Sequence, residues 1–367
     1  MSKPRRRKQK KQVKAELKLR QFAATELSDQ LAALPCAADL PRFMVDTVAG
    51  AYAPADAHLM IEGFGAAAAR PVTLRANTLK ATAEDIAAAL DAAGIAHNPV
   101  AWYPDAFILP EAQVSDLWDL DIYRDGKIYL QSLSSMMPPL VLGAQAGEDI
   151  LDMCAAPGGK TTQIAALTQG QAHLTACEMN IPRAEKLESN LHRQGAKNVP
   201  VMRIDARELD EFFRFDRILL DAPCTGTGTV ISGNEKSLRG LTEQLLSKCA
   251  RSQCALLDRA MGALKPGGTL VYSTCSIMPQ ENEDALQEAL DKHMDCELIP
   301  LDGTPSESEA HRAQEAGEEP RVESNALTEA IAAGHVSAVA NGMPGTLTIP
   351  PSRDFEGFYI ALIRKRS

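Results

Sequence analysis

The sequence contains no run of eighteen consecutive apolar residues, no Cys-x-x-Cys pair, no Gly-x-x-x-x-Gly-Lys loop and no Gly-x-Gly-x-x-Gly turn. The first absence excludes a membrane-spanning helix read from hydropathy, and a membrane partner with it. The second removes the usual zinc spacing and the framework of a disulfide-stapled scaffold, so no metal is expected. The other two remove the phosphate loop of nucleotide hydrolases and the dinucleotide-binding turn. No hydrophobic segment stands behind the amino-terminal charges, so a secretory signal is not expected and the location reads as cytoplasmic. The eight cysteines, at 36, 154, 177, 224, 249, 254, 275 and 296, are then thiols. A lone thiol is by default a small buried hydrophobe, and Cys36, Cys177, Cys249, Cys254 and Cys296 are read that way. A monomer is the default.

At 367 residues and 45% apolar composition, the chain can bury an α/β core and leave about a hundred residues for a second domain. The formal charge of −10 argues against simple attraction to nucleic acid, but the charge is unevenly placed. Met1 to Arg20 holds ten Lys and Arg against one acid, Glu16, so the residues after it hold a net −19. A basic flexible arm at 1–20 on an acidic body is suited to attracting phosphates and releasing their counterions.

After the arm, 22–48 reads as helices interrupted at Pro35 and Pro41. Strands are expected at 71–76, 106–109 and 127–130, with a helix over 83–93 that Gly94 ends. This is a small α+β module, and its boundary with the rest is set at 125/126. From Glu148 the pattern becomes strands (150–152, 174–177, 199–202, 216–220, 269–272) alternating with helices (161–167, 182–194, 242–264). That alternation predicts a doubly wound parallel sheet with ligands at the carboxyl ends of its strands. Ser/Glu/Ala-rich sequence at about 301–345 reads as a mobile acidic insertion, and 358–363 as a last, buried strand.

Asp152-Met-Cys-Ala-Ala-Pro-Gly-Gly-Lys160 joins a strand to a helix, so its glycines allow a tight turn and close backbone approach to a ligand. Acids follow at later strand ends: Glu178, Asp205 and Asp221. An acid at the second strand end is placed for ribose hydroxyls, and acids at the third and fourth for an adenine amino group and a methionine ammonium. Any one of them alone would read as a helix N-cap. Together they point to S-adenosylmethionine.

Asp221-Ala-Pro-Cys224 ends the expected fourth strand and Ser273-Thr-Cys275-Ser276 the fifth, so adjacent strands would bring both cysteines to one cleft. Cytosine C5 is a poor nucleophile. Methylation there needs a thiolate to add at C6, the activated C5 to take the methyl group, and a base to remove the C5 proton. Two cysteines and an acid, Asp221, to hydrogen-bond or protonate N3 supply these parts. Gly/Ser/Thr/Pro turns beside a cofactor cleft suit exposed, reactive thiols.

These segments, with Gln131 to Ser135 and Glu356 to Tyr359, resemble the signature motifs of the Sun/RsmB-like RNA (cytosine-5)-methyltransferases, including the NOL/Nop and NSUN enzymes, over roughly 125–364. The resemblance implies a Rossmann-like S-adenosylmethionine methyltransferase sheet behind a smaller α+β RNA-recognition-like domain. It implies Cys275 as nucleophile and Cys224 as the residue assisting proton removal and release. Cys154, Ala155, Ala156, Pro157, Gly158, Gly159 and Lys160, with Glu178, Arg183, Asp205 and Asp221, would hold S-adenosyl-L-methionine, Lys160 supporting the turn. The implied partner is RNA, with ribosomal RNA favoured over transfer RNA by the basic arm. Two departures stand out. Thr225 replaces the usual Ser, and Val230 to Glu235 is neutral to acidic where the family often carries a basic run. A DNA cytosine-5 methyltransferase would place its nucleophile in Pro-Cys-Gln, an amino-group methyltransferase would want a Pro-Pro-aromatic clamp, and a non-catalytic RNA-binding scaffold would not need both cysteines.

Overall fold

The computed structural model describes residues 21–316, 319 and 325–367, so the basic arm at 1–20 and part of the acidic segment lie outside the described residues. Residues 21–32 are helical, and α1 (Arg42–Ala51) and α2 (Pro54–Ala66) follow a turn at Pro35–Ala37. The prolines sit where a chain without an N–H can begin a helix but not continue one, with Pro41 capping α1 and Pro54 opening α2. Met44, Val45, Val48 and Ala49 make the buried stripe of α1.

The first sheet contains β1 (Val72–Ala76), β2 (Asn98–Val100), β3 (Tyr103–Leu109) and β4 (Ile128–Leu130), in the order β2-β3-β1-β4. β1 runs antiparallel to both neighbours. Between β1 and β2 lies α3 (Ala83–Ala92), opened by a reciprocal cap between Thr82 and Asp85. Leu74, Ile86, Leu90, Phe107 and Leu109 form the core of this layer. Because β4 pairs with β1, the boundary expected at 125/126 falls inside the module.

The second sheet holds β5 (Asp149–Asp152), β6 (His173–Cys177), β7 (Val201–Met202), β8 (Phe215–Asp221), β9 (Leu264–Thr274), β10 (Cys296–Ile299), β11 (Leu347–Ile349) and β12 (Phe358–Lys365). Its order is β10-β12-β9-β8-β5-β6-β7, with β11 beside β12. Neighbouring strands from β9 through β7 pair in parallel. β12 is antiparallel to both β9 and β10, so the sheet is mixed rather than wholly parallel. Side chains alternate across the pleat, and both faces are apolar. Ile150, Leu219 and Val271 pack with α4 (Leu133–Leu142), α5 (Gly159–Leu167) and α6 (Ile181–Gln194) on one side. Leu151, Leu220 and Tyr272 pack with α7 (Glu243–Ala263) and α8 (Glu283–Lys292) on the other. Helices on both faces give the Rossmann-like layering.

Two expectations about organisation change. The helices at 21–66 do not belong to the first sheet's core: Leu31, Met44, Met60 and Phe64 cluster with Val230, Leu246, Ile277 and Met278. Those partners flank both cysteine motifs, so the amino-terminal helices brace the second domain. Val230 is fully buried there, and Asp39 accepts from Ser232 Oγ at 3.1 Å and Gly233 N at 2.7 Å. The neutral stretch after Gly228 is thus a docking segment for these helices. In the acidic segment, helices Glu307–Ala316 and Ala326–Ala332 are formed, and Leu327, Ala330 and Val336 enter the sheet's core. The described part is packed on the sheet rather than standing off it, because this polar sequence keeps a few apolar residues at helical spacing.

Candidate active site

β5 ends on Asp152, and the chain turns through Met153 to Gly158 into α5. Gly158 caps the helix at φ 103°, and a Cβ there would lie 2.9 Å from Leu187 Cδ1. Only glycine meets both demands. The Ala156–Pro157 peptide is cis. Neighbouring elements hold the turn by its backbone: Ala155 N donates to Cys177 O at 2.9 Å, Arg183 Nη2 to Ala156 O at 2.9 Å, and Asn190 Nδ2 to Pro157 O at 2.7 Å. Asp152 is buried beneath it. Thr161 Oγ1 donates to its Oδ2 at 2.7 Å, while its Oδ1 has no partner among the described residues. Burial pushes this carboxyl up to about 6.

Two cavities meet at Cys154. The larger, about 340 Å³, is lined by Ala155, Ala156, Pro157, Gly159 and Lys160 of the turn, by Asp152, Asp221 and Cys275, and by Tyr129, Ser132, Glu356 and Phe358. The smaller, about 70 Å³, is lined by Glu178, Arg183, Asp205 and Arg207. Gly158 lines neither. Glu178 is buried, with Oε1 accepting from Asn180 N at 2.8 Å and Oε2 3.3 Å from Arg183 Nη1. Arg207 Nε reaches Asp205 at 2.9 Å and holds its carboxyl below the ordinary range. Burial pushes the Cys154 thiol well up, and the surrounding carboxylates add to this.

β8 and β9 are adjacent, with Asp221 opposite Ser273, and this register brings the two motif cysteines together. Cys224 Sγ lies 3.2 Å from Cys275 Sγ. Cys275 faces the larger cavity, and Cys224 stands behind it without lining the space. The hydrogen bond to Cys275, then burial, pushes the Cys224 thiol well up. Lys160 Nζ donates to Asp221 Oδ2 at 2.7 Å and Ser135 Oγ at 2.7 Å, and Ser273 Oγ to Asp221 Oδ1 at 2.9 Å. Burial pulls the Lys160 ammonium down, but the Asp221 carboxylate outweighs it and the net shift is upward. Lys160 therefore crosses the cavity to Asp221 instead of supporting its own turn, because the helix start aims its side chain at the next strand end. Its Nζ stands 5.6 Å from the centre of the Phe358 ring.

Motif reading left several site residues without a role. Asp152, Tyr129, Ser132, Glu356 and Phe358 all face the larger cavity. The resemblance covers the segments of all but Tyr129, which falls in the strand expected at 127–130, and nothing in their residue types announces a pocket wall. The unpaired Asp152 oxygen emerges only from the packing. Together the arrangement offers a paired-thiol centre, a lysine–carboxylate ion pair beside it, and an acid-lined groove for a polar cofactor.

The family model "16S rRNA methyltransferase RsmB/F" matches residues 139–364, and "Methyltr_RsmF/B-like, ferredoxin-like domain" matches residues 40–115. Ribosomal RNA small subunit methyltransferase F of Aeromonas salmonicida is 40% identical over 65% of this chain and 52% of its own length. The protein of that name from Vibrio parahaemolyticus is 35% identical over 84% of this chain and 60% of its own. The chain thus spans about half to three fifths of these relatives. A methyltransferase homolog protein from Pyrococcus horikoshii, solved as a crystal structure, superimposes with a TM-score of 0.69 at 30% identity, covering 93% of this chain and 99% of that one. With the family model spanning more than half of its residues, the chain belongs to the 16S rRNA methyltransferase RsmB/F family.

Proposed function

We propose that this chain methylates C5 of cytosine in RNA, with small-subunit ribosomal RNA as substrate and S-adenosyl-L-methionine as donor. The observation that carries the proposal is the pair of sulfurs 3.2 Å apart, with Cys275 on a cavity that also contains the Lys160–Asp221 pair. A cytoplasmic location belongs to the same reading.

The residues fit the cofactor. The buried, unpartnered oxygen of Asp152 calls for a donor or cation, Glu178 is placed for ribose hydroxyls, and Asp205 lines the smaller cavity where an adenine would lie. Cys154 to Lys160 and Arg183 form the walls and braces of this groove. When bound, S-adenosylmethionine supplies an electrophilic methyl group.

The chain's own groups account for the remaining chemistry. The Cys275 thiolate forms a bond to C6, and the C5–C6 π electrons shift toward C4, N3 and O2, leaving C5 a nucleophilic enamine carbon. Asp221, held by Lys160 and Ser273, faces that developing charge, and the Lys160 ammonium offsets it. Once C5 carries the methyl group, Cys224 in its thiolate form takes the C5 proton, the C5–C6 double bond returns, and the S–C6 bond breaks with Cys275 leaving as thiolate.

The test is denaturing electrophoresis of Cys224→Ala with cytosine-containing RNA and cofactor. A covalent protein–RNA adduct is expected to accumulate, because attack proceeds and release does not. Cys275→Ala forms none. An adduct that persists without Cys275, or none with either variant, rejects the roles. Bisulfite mapping of ribosomal and transfer RNA from cells with and without the gene identifies the substrate.

A further inference from the structure

The two cysteine loops are joined from behind by one carboxylate. Glu281 is wholly buried in the short turn Pro279–Glu281 that precedes α8. It accepts from Thr225 N at 2.7 Å, Thr225 Oγ1 at 2.5 Å and Ser276 Oγ at 2.5 Å, with Gln253 Nε2 at 3.5 Å. Thr225 follows Cys224 in the chain, and Ser276 follows Cys275. Gln253 Nε2 also donates to the carbonyl of Pro223, the residue before Cys224, at 2.9 Å. Thr225 and Ser276 thus belong to the two loops and Gln253 braces the first of them, while the Cys249 thiol of α7 also reaches the carboxylate.

A buried acid is a costly way to fill space, and an apolar group of similar volume often does it at less cost. What an apolar group cannot do is gather donors from two strand ends and fix their spacing. Burial pushes the Glu281 carboxyl up while the Ser276 and Thr225 donors pull it back. We propose that Glu281 is a positioning residue for the transfer reaction: it ties the Cys224 loop to the Cys275 loop and sets the separation of the two sulfurs. The consequence for catalysis rests on the methyltransferase reading; the consequence for the thiol pair does not.

Two measurements on the full chain keep these apart. Diamide converts two neighbouring thiols to one disulfide, taking up their two hydrogens and two electrons as it becomes the hydrazine. The rate of Cys224–Cys275 linkage, read by peptide mass spectrometry, thus reports sulfur spacing without RNA or cofactor. Glu281→Gln and Thr225→Val are expected to slow linkage at least tenfold, and Thr225→Ser, which restores the hydroxyl, recovers it to within threefold of the parent chain. Methyl transfer to unmodified small-subunit ribosomal RNA is expected to lose ten- to a hundredfold in kcat in Glu281→Gln, with KM for the cofactor within threefold. A merely structural carboxylate would lower the melting point and leave the linkage rate of the folded fraction unchanged, which overturns the proposal even where transfer falls. If Glu281→Gln does not fold, the Thr225 pair decides alone. Slowed linkage in the variants, with a parent chain that transfers no methyl group, would reject the proposed function and leave the positioning role standing.

Discussion

At the scale of the residue, the instructive comparison is between two neighbouring acids. Glu281 is buried with donors on both oxygens, whereas neither carboxylate oxygen of Glu283 has a partner among the described residues, though the residue is only 6% exposed. Burial pushes the Glu283 carboxyl up to about 7, far above the unfolded chain's value near 4.5. Between those two values the folded chain keeps a proton that the unfolded chain releases. Stability from this group is therefore complete below about pH 4.5 and lost as pH rises through 7, by roughly 3 kcal/mol in all. Glu283→Gln removes the ionisation while keeping the shape. It is expected to melt at nearly the parent temperature at pH 4.5 and several degrees above it at pH 8. Parallel melting shifts at both pH values would show that Glu283 finds donors in solution. The Glu281 carboxylate should not respond in this way to Gln, since the amide keeps an acceptor toward Thr225 N but turns a donor toward the Thr225 and Ser276 hydroxyls that now donate to it, and loses stability at either pH.

Between elements, the Cys224 loop and the lead-in to β12 cross at two glycines. Gly228 N donates to Cys275 O at 3.0 Å, and Gly357 N to Gly228 O at 2.8 Å. A Cβ on Gly357 would lie 2.8 Å from Gly228 Cα and 2.7 Å from Ile277 Cγ2, so even a methyl group forces the backbones apart. Overpacking of this kind typically costs about 1–3 kcal/mol. Gly357→Ala is expected to lower the melting point by several degrees and methyl transfer at least tenfold; a chain that keeps full transfer would show that the crossing does not set the cysteine loop. This crossing was invisible in the sequence, and the reason is general to the site. Cys224, Cys275 and the turn from Cys154 to Lys160 were legible because each sits in a short motif whose chemistry is local to it. Glu281 gathers partners from Thr225 and Gln253, tens of residues away, and the direction of β12 depends on a pairing with β9 that no periodicity encodes. The Lys160–Asp221 pair failed for the same reason, since each residue was assigned to its own motif.

At the scale of the whole molecule, the first sheet bears on the proposed site, which lies at the carboxyl ends of the second sheet's central strands. Arg75 of β1 is wholly buried and crosses the boundary: Nη2 donates to Gly159 O at 3.0 Å and Thr162 Oγ1 at 2.7 Å, and Nε to Gln131 Oε1 at 2.9 Å. Its guanidinium lies 5.3 Å from the centre of the Tyr129 ring, and that ring lies 3.1 Å from where a Cβ on Gly159 would stand. The small domain thus forms one wall of the larger cavity and grips the start of α5 by a carbonyl. Replacing Arg75 by Met keeps most of the volume but strands Gln131 Oε1, at about 1–3 kcal/mol, and removes the tie from β1 to Gly159 O, which keeps only the Thr162 hydroxyl as a side-chain donor. Lys is a poor substitute, because one ammonium cannot reproduce the planar fork. Arg75→Met is therefore expected to lower the melting point and to shrink the further stabilisation that saturating S-adenosylmethionine gives, corresponding to roughly tenfold weaker binding, or about 1.4 kcal/mol. Affinity for ribosomal RNA, measured without cofactor, should change less than threefold. The opposite pattern, intact cofactor stabilisation with weakened RNA binding, would mean that the first sheet serves the substrate alone and that its grip on Gly159 is incidental to the site.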